Sequence, residues 1–530
     1  MSERLTKSAG LIGLATLGSR VLGLVRDQAQ AAAFGTGLQA DAFVIATRIP
    51  GLLRELFAEG AMSAAFVPTL TRTLTKEGKD AAWRLGSQVI NGLLVVTGFF
   101  VILGLIFAEP ITKLVSDENF INIPGALPLT VMLTRWNMPF LMLIAIAAAF
   151  MGMLNSLRKF AVPAASPAMF NVVFILATVI LVPVFGSMGV ETTMALSFGM
   201  LGGGLAQIAV QWPALRREGY RHRWILNPRD PVLREVLVLL GPGTIGVAAA
   251  QINLLVNTWL ATSTLGAPAA LRFGFQLMYL PIGIFGVSVA TATIPDLARH
   301  AAEGAHDAMI KTVSWAVRLM IVLSVPAIVG LVVLAGPIVE LIYLRGKFDA
   351  HSAWMTAGAL AFYAPGILGY SIVKIASPSF YSLREARTPV IVSVITIGVN
   401  LALNFWLNSV YGFRGLALGT AIAANVNAGL LIFLLGRRLG GIDAARIGRT
   451  FFKTCVAAAV MGAAAYYAQQ GLQSVFPQPD LWHRAIRVFG AIGAGLGVLG
   501  AMAYVLRLEE FSIALQRVLG RLRRSARPER

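Results

Sequence analysis

The feature that most constrains this sequence is a series of apolar stretches, each long enough to cross a lipid bilayer as an α-helix. A helix needs about 20 apolar residues to span the hydrocarbon. Only 13% of the residues are charged and the mean hydropathy is +0.73, so the chain cannot cover its surface with polar groups. The sequence therefore predicts an all-α polytopic membrane protein. We predict fourteen spans, near residues 8–34, 40–70, 85–108, 126–153, 164–184, 192–215, 235–262, 270–295, 313–335, 352–378, 388–408, 414–436, 451–469 and 485–507.

The positive charge of the chain is distributed unevenly among the loops. A net charge of +19 also suits a nucleic-acid-binding protein. With the amino terminus inside, however, most of the 44 Lys and Arg residues fall in inward loops and tails. This positive-inside bias predicts a multi-pass protein of the cytoplasmic membrane, with both termini in the cytoplasm and no nucleic-acid partner. The densest clusters, which we expect to contact anionic lipid headgroups, are Arg216, Arg217, Arg221 and Arg223, and Arg521, Arg523 and Arg524.

The chain also repeats itself weakly. The run Ser156-Leu157-Arg158 recurs as Ser382-Leu383-Arg384. An even number of predicted helices separates the two runs, which indicates two parallel repeats related by an axis along the membrane normal. A chance match is the alternative. The predicted parts are an amino-terminal lobe of six helices, a second lobe of six helices, two additional helices and a basic tail, at residues 1–217, 218–438, 439–507 and 508–530.

Charged residues are concentrated where a membrane protein normally avoids them, in the first two predicted spans. A charge at the bilayer centre costs about 2.5–3.5 kcal/mol on insertion scales, so this set cannot face lipid. In the second span the charges at 41, 48, 55 and 59 share one helical face, and Pro50 should kink the helix. The charges are Arg20, Arg26, Asp27, Asp41, Arg48, Arg54, Glu55 and Glu59.

Two interpretations of these charges remain open. They line a hydrated cavity, which we favour, or they form internal ion pairs that only join the two helices. The second half adds Arg272 and Lys374. Because the planar guanidinium of Arg binds two oxygens of a phosphate at once, a cavity with several Arg suggests an anionic headgroup such as a diphosphate. The predicted substrate-binding residues are Arg20, Arg26, Asp27, Asp41, Arg48, Arg54, Glu59, Arg272 and Lys374.

The sequence gives little support for an enzyme. Gly241-Pro242-Gly243-Thr244-Ile245-Gly246 fits a dinucleotide-binding pattern, but no strand precedes it. Cys455 is a lone cysteine, and the five histidines lack metal-ligand spacing. We therefore expect a secondary transporter with no cofactor. Small-residue pairs at Gly199 and Gly203, and at Gly493 and Gly497, indicate helix packing.

Three runs in the sequence resemble the MurJ/MviN family of lipid II flippases, which belongs to the multidrug/oligosaccharidyl-lipid/polysaccharide exporter superfamily. The runs are Gly18-Ser19-Arg20-Val21-Leu22-Gly23-Leu24-Val25-Arg26-Asp27, Pro50-Gly51-Leu52-Leu53-Arg54-Glu55-Leu56-Phe57-Ala58-Glu59-Gly60-Ala61 and Val373-Lys374-Ile375-Ala376-Ser377-Pro378-Ser379-Phe380-Tyr381-Ser382.

The resemblance implies transport of lipid II, the undecaprenyl-diphosphate-linked disaccharide pentapeptide of cell-wall synthesis, from the inner to the outer leaflet. It implies alternating access between the lobes and a groove for the prenyl tail at the last two helices. Arg26 and Arg54 would meet the diphosphate. The driving force would be the membrane potential or a monovalent ion, and cell-wall synthesis proteins are candidate partners. A sodium site would lie near Asn257, Asn400, Asn404 and Thr420.

The sequence departs from the family in two places. Glu55 follows Arg54 where many members have a second basic residue, and Gln276 precedes Leu277-Met278-Tyr279-Leu280-Pro281 where the family has an Arg. Arg272 lies one helical turn before Gln276 and is our candidate replacement.

Other functions fit parts of the pattern. The alternatives are a flippase for another prenyl-linked sugar or a multidrug/cation antiporter of the same architecture, a membrane-embedded cell-wall glycosyltransferase or ligase, and a scaffold of the division machinery.

Overall fold

The computed structural model describes residues 2–56, 60–227, 229–230, 234–235 and 250–510, and every regular element in these ranges is helical. Glu59, the Gly241–Gly246 run and the basic tail after Glu510 lie outside the described residues. The chain divides into two compact units. One comprises Met1–Ala269 with Arg345–Ser352, and the other Ala270–Leu344 with Ala353–Arg530.

The first unit is built around the long helices that its apolar stretches form. Aromatic and aliphatic side chains of α4, α5, α9 and α11 make its main core, with Phe66, Trp83, Phe150 and Tyr220 fully or nearly buried. Its helices are α1 (Ser2–Phe34), α2 (Leu38–Ala46), α3 (Arg48–Arg54), α4 (Gly60–Lys76), α5 (Lys79–Ile106), α6 (Ala108–Val115), α7 (Glu118–Ile121), α8 (Ala126–Asn137), α9 (Phe140–Ser156), α10 (Ala161–Ser187), α11 (Met194–Arg217) and α12 (250–261).

The second unit is also built of helices in the residues that the structure describes. Its core brings α14, α15, α18, α20 and α21 together around Met309, Ile375 and Leu435. Its helices are α13 (Ala267–Pro281), a π-helical turn (Ile282–Gly286), α14 (Val287–Ala302), α15 (His306–Val333), α16 (Ala335–Tyr343), α17 (Ala350–Tyr363), α18 (Gly366–Ser382), α19 (Arg387–Tyr411), α20 (Phe413–Leu439), α21 (Ala444–Val475) and α22 (Leu481–Val505).

The two matching runs, which suggest the repeat, form the same turn at the ends of α9 and α18, and the repeat itself stays a prediction. Arg158 and Arg384 have φ angles of 58° and 59°, and both turns have the same two closing hydrogen bonds. Lys159 N donates to Leu154 O at 2.9 Å, and Glu385 N donates to Phe380 O at 2.9 Å. This is a Schellman cap with Arg at the position that usually holds Gly.

The predicted number of spans can be compared with the helices that are long and apolar enough to cross a membrane. Ten described helices are long and apolar enough to cross a membrane, or eleven if the bent pair Ala350–Tyr363 and Gly366–Ser382 is one span. The predicted second span, 40–70, is not one helix, because α2 ends at Ala46 and α3 begins at Arg48. Pro50 has no N–H to donate to Ala46 O, so an interruption occurs where the sequence predicts a kink. The count of fourteen stays a prediction.

Small residues pack in one of the two predicted pairs only. A Cβ on Gly199 would lie 3.2 Å from Ala177, and one on Gly203 would lie 2.5 Å from the Phe170 ring, so this pair brings α11 close to α10. Gly493 and Gly497 have no such neighbour within 4 Å. The packing prediction for the second pair was therefore wrong.

The closest helix contact suited to a test is at Gly369 in α18. A Cβ there would lie 2.4 Å from the carbonyl carbon of Ala424 in α20, and backbone cannot move aside as a side chain can. We expect Gly369→Ala to lower the free energy of unfolding by about 1–3 kcal/mol, measured by thermal unfolding in detergent. The matched control is Gly398→Ala, because a Cβ at Gly398 meets no atom within 4 Å. Equal melting temperatures for the two variants would contradict the contact.

Candidate functional site

The guanidinium of Arg26 in α1 is held in one orientation from two sides. Its Nε and Nη2 donate to Asp27 Oδ1 at 3.2 and 2.9 Å, and its Nη1 donates to Asn171 Oδ1 at 3.1 Å. Asn171 in α10 is itself fixed, since its Nδ2 donates to Ser19 O at 3.0 Å. The Arg26 side chain is 21% exposed and that of Asp27 only 3%. Arg26 is therefore a preorganised cation with part of its surface open to a ligand.

Two further features surround this cation. The Phe174 ring lies 5.8 Å from the guanidinium carbon of Arg26, which is within cation–π range. Arg20 lies two helical turns before Asp27 in α1 and is partly exposed. The first unit thus presents a polar strip on α1 against an otherwise apolar α10.

Asp41 is fully buried and caps the start of another helix. Its Oδ2 accepts from Gly266 N at 2.5 Å and its Oδ1 from Ala269 N at 3.0 Å, across 225 and 228 residues of sequence. Gly266 directly precedes α13 and Ala269 lies in its first turn, where no intrahelical acceptor exists and the helix dipole favours a negative charge. Asp41, Gly266 and Ala269 all belong to the first unit. In this structure the Asp41 carboxyl group is buried against backbone, and its place among the substrate-binding residues stays a prediction.

The remaining charges of the predicted stripe do not lie on one continuous helix, since Thr47 interrupts it. Arg54 Nη2 pairs with Glu55 Oε1 at 2.9 Å, and the side chains are 34% and 36% exposed. The departure from the family at Glu55 thus gives Arg54 an adjacent counter-ion. Arg48 is partly buried, and Glu59 lies outside the described residues.

In the second unit, the predicted residues lie on α13 and α18. Arg272 and Gln276 are both partly exposed, one turn apart on α13. Lys374 on α18 places its Nζ 5.9 Å from the centre of the Tyr279 ring. All three side chains are accessible enough to meet a ligand.

A long apolar groove also belongs to the second unit. It has a volume of about 550 Å³ and is lined by α13, the π-helical turn, α15, α16, α21 and α22. The lining side chains are entirely non-ionic and include Leu280, Phe285, Pro326, Leu331, Met461 and Leu496. The last two helices therefore help to form an apolar groove, and its use by a prenyl tail stays a prediction.

The residues of the implied sodium site are neutral and satisfy one another. Asn404 Nδ2 donates to Asn400 Oδ1 at 2.9 Å on α19, and the Thr420 hydroxyl donates to Leu416 O at 2.8 Å on α20. Asn257 lies on α12 in the first unit. Hydrogen bonds within one helix account for these contacts, and the sodium site stays a prediction.

Comparisons with known proteins agree along almost the entire chain. The family described as "Lipid II flippase MurJ" matches residues 30–479. A probable lipid II flippase MurJ of Rhizobium meliloti (strain 1021) is 34% identical over 94% of both chains. One of Vibrio cholerae serotype O1 is 32% identical over 96% of this chain and 97% of its own. The chain belongs to the MurJ family.

Solved structures give the same fold. A structure titled "Lipid II flippase MurJ, inward closed conformation" matches with a TM-score of 0.75 at 24% identity, covering 94% of this chain and 99% of its own. An inward-facing multidrug resistance MATE transporter matches with a TM-score of 0.67 at 12% identity, covering 80% and 94%. Members of the MurJ family and MATE transporters thus share this architecture.

Sequence reasoning missed Asn171 and the backbone partners of Asp41. Asn171 had a signal, because it is a lone amide in the long apolar run of α10 and such groups need a partner in lipid. Nothing in the sequence pointed to Gly266 and Ala269, since a backbone N–H is present at almost every residue. For this member of the MurJ family, the clustered charges were therefore easier to find than the groups that fix them.

The capping role of Asp41 predicts a loss of stability on substitution. Asp41→Ala leaves two buried N–H groups without an acceptor, so we expect about 1–3 kcal/mol or more of destabilisation, read from thermal unfolding of the full chain in detergent. Asp41→Asn keeps one acceptor oxygen and should lose less. The control is Asp296→Ala, which removes only an exposed pair with Arg299. An Asp41→Ala variant as stable as this control would rule out the cap.

Proposed function

We propose that this chain moves lipid II across the cytoplasmic membrane, from the inner to the outer leaflet, for cell-wall synthesis. The observation that carries the proposal is the end-to-end match to relatives named as lipid II flippases. The site agrees with a ligand that has an anionic head and a long apolar tail. Such a protein is a transporter and not an enzyme, because lipid II is moved without being changed.

The diphosphate of lipid II is the group that the Arg residues would bind. Arg26 is already oriented by Asp27 and Asn171, so little conformational entropy is lost when it meets a phosphate. Arg54 would have to exchange its contact with Glu55 for the ligand. Arg26 is therefore the constant anchor, and Arg54 is the residue whose partner changes during transport.

The prenyl tail would lie in the apolar groove of the second unit. Each methylene that leaves water for an apolar surface contributes about 0.8 kcal/mol, but a tail in lipid is already out of water. The groove therefore guides the tail and adds little affinity. Specificity comes from the headgroup.

The orientation and the driving force complete the proposal. The positive-inside bias places both termini in the cytoplasm. Moving one charge through 100 mV is worth about 2.3 kcal/mol, which makes the membrane potential a sufficient driving force for a diphosphate carrier. Cell-wall synthesis proteins that use lipid II outside are the expected partners.

The test of the function is complementation of a flippase-depleted strain. The full chain should restore growth and cell shape, and lipid II should become accessible to an impermeant lipid II-cleaving enzyme added outside. Restored growth without outside lipid II, or export of cationic drugs alone, would contradict the proposal and favour an antiporter.

The diphosphate anchor predicts that charge alone is insufficient. Arg26→Lys and Arg54→Lys should lose most transport in this assay, because Lys offers a point charge where a fork is needed. Asn171→Leu should act in the same direction by releasing Arg26. The control is Arg135→Lys, an exposed residue at the end of α8. Normal transport by Arg26→Lys would show that a fork is not required.

The Arg272 replacement predicts a rescue. Residues 272 and 276 are one turn, about 6 Å, apart, so a long Arg at either position reaches the same point. Arg272→Ala should abolish transport, and Arg272→Ala with Gln276→Arg should restore it. Normal transport by Arg272→Ala alone would remove Arg272 from the site.

The groove predicts sensitivity to tail length. Gly330 lines the groove, and a Cβ there would have its nearest neighbour, Met461 Cε, at 3.9 Å, so the side chain of Gly330→Leu should occupy part of the groove. In proteoliposomes we expect slower transport of full-length lipid II and normal transport of a short-chain analogue. The control is Gly398→Leu, which lies on α19 away from the groove. An equal effect on both substrates would show that the tail does not lie there.

A further inference from the structure

The loop that follows α11, which we call the Trp224 loop (residues 219–227), is fastened to α5 by its backbone. Asn91 Nδ2 donates to Arg223 O at 2.9 Å and to Ile225 O at 2.8 Å. Arg223 N donates to Ser87 Oγ at 3.2 Å. Two polar side chains of α5 thus hold the backbone of Arg223 and Ile225 in place.

The first part of the loop is anchored as firmly by an aromatic side chain. Tyr220 is 1% exposed and packs against Trp83, Phe150 and Trp212. Its hydroxyl lies 3.0 Å from His222 Nδ1. The loop therefore has a defined conformation, and its outer surface is defined with it.

That outer surface combines large apolar side chains with cations. Trp224 is 82% exposed and Leu226 is 45% exposed, although backbone groups of the residues next to them are hydrogen-bonded to α5. Arg221 and Arg223 are exposed on either side of His222. Burial lowers the pKa of His222, so the positive charge of the loop comes from its Arg residues.

The position of the loop along α5 gives its depth in the membrane. Leu226 Cδ1 lies 3.8 Å from the Cβ position of Gly92. The lipid-facing side chains of α5 begin at Val95 and continue with Phe99 and Ile102. Three residues of helix rise about 5 Å, so Leu226 lies about one helical turn from the exposed apolar side chains of α5. We expect the membrane interface, where Trp and Arg are enriched, next to this level.

The charges nearest to the loop leave it strongly positive. Glu218 is engaged by Lys159 and Lys79, whose hydrogen bonds hold the pKa of its carboxyl below the usual value. Asp230 accepts from Gln88 at 3.2 Å. The acids next to the loop are thus already in contact with the protein, whereas Arg221 and Arg223 project outwards.

We propose that the Trp224 loop is a binding site for anionic phospholipid of the membrane surface. Arg221 and Arg223 bind the headgroup phosphates, while Trp224 and Leu226 enter the interfacial region. In the orientation proposed above this is the cytoplasmic leaflet. The site is independent of lipid II transport, and a soluble protein docked on Trp224 is the competing occupant.

The first experiment measures depth. The full chain with Cys455→Ser and Leu226→Cys carries a spin label in nanodiscs that contain phosphatidylglycerol. We expect collisions with oxygen to exceed those with a water-soluble nickel chelate. The same label at Glu303→Cys, an exposed turn, should show the reverse. A label at 226 that matches the one at 303 would place the loop in water and overturn the site.

The second experiment measures lipid charge preference. Phosphatidylglycerol is titrated onto the detergent-solubilised chain and counted by native mass spectrometry. Since each Arg near a surface contributes about 1 kcal/mol, Arg221→Gln with Arg223→Gln should weaken the tightest binding about tenfold or more.

The matched control for this titration is Arg216→Gln with Arg217→Gln, which removes two exposed cations from the end of α11 without touching the loop. This control pair should weaken the binding of phosphatidylglycerol far less. All variants should bind phosphatidylcholine equally. Equal losses in both pairs would mean that any nearby cation suffices, and the specific site would be wrong. Unchanged lipid binding in the loop variant, with Trp224 crosslinking to a soluble protein, would assign the surface to that protein instead.

Discussion

The arrangement of the first unit depends on the cost of placing charge inside hydrocarbon. A carboxylate or guanidinium there costs a few kcal/mol unless protein, water or a ligand compensates it. The Asp41 carboxyl group accepts two hydrogen bonds from backbone N–H groups at the start of α13. Arg26 is compensated partly, by Asp27 and Asn171. The difference separates charges that stabilise the fold from charges that remain available for a substrate, although both kinds look alike in the sequence.

This separation also explains the character of the proposed substrate site. A binding group that is already oriented discriminates by geometry, whereas one that pairs with a neighbour, as Arg54 does with Glu55, can change partners at low cost. A carrier needs both properties, because it must hold its cargo and later release it. The apolar groove adds a third requirement, since a long tail must follow the headgroup while remaining out of water.

The sequence predicted the features that depend on composition and period. In the described part of the chain the apolar runs became helices, and the two matching runs form the same turn. The concentration of charge in the first spans includes Arg26 and Asp27, which form an ion pair. What the sequence could not predict depends on distant backbone. Asp41 finds its partners more than two hundred residues away, and Thr47 breaks a stripe that looked continuous. Exposed Gly493 and Gly497 show the same limit, because a small residue indicates that close packing is allowed and not that a partner is present.

The two turns at Arg158 and Arg384 have a consequence for how such a chain is made. An L-residue at positive φ carries strain of about 1–2 kcal/mol that Gly would relieve, yet both halves have Arg there. Both turns therefore have a positively charged side chain at a position where the backbone conformation is strained. During synthesis the segments of a membrane protein enter the bilayer one after another, and a cation in a loop opposes the translocation of that loop. In the orientation proposed above, the cation of each turn would favour the same cytoplasmic placement of that turn.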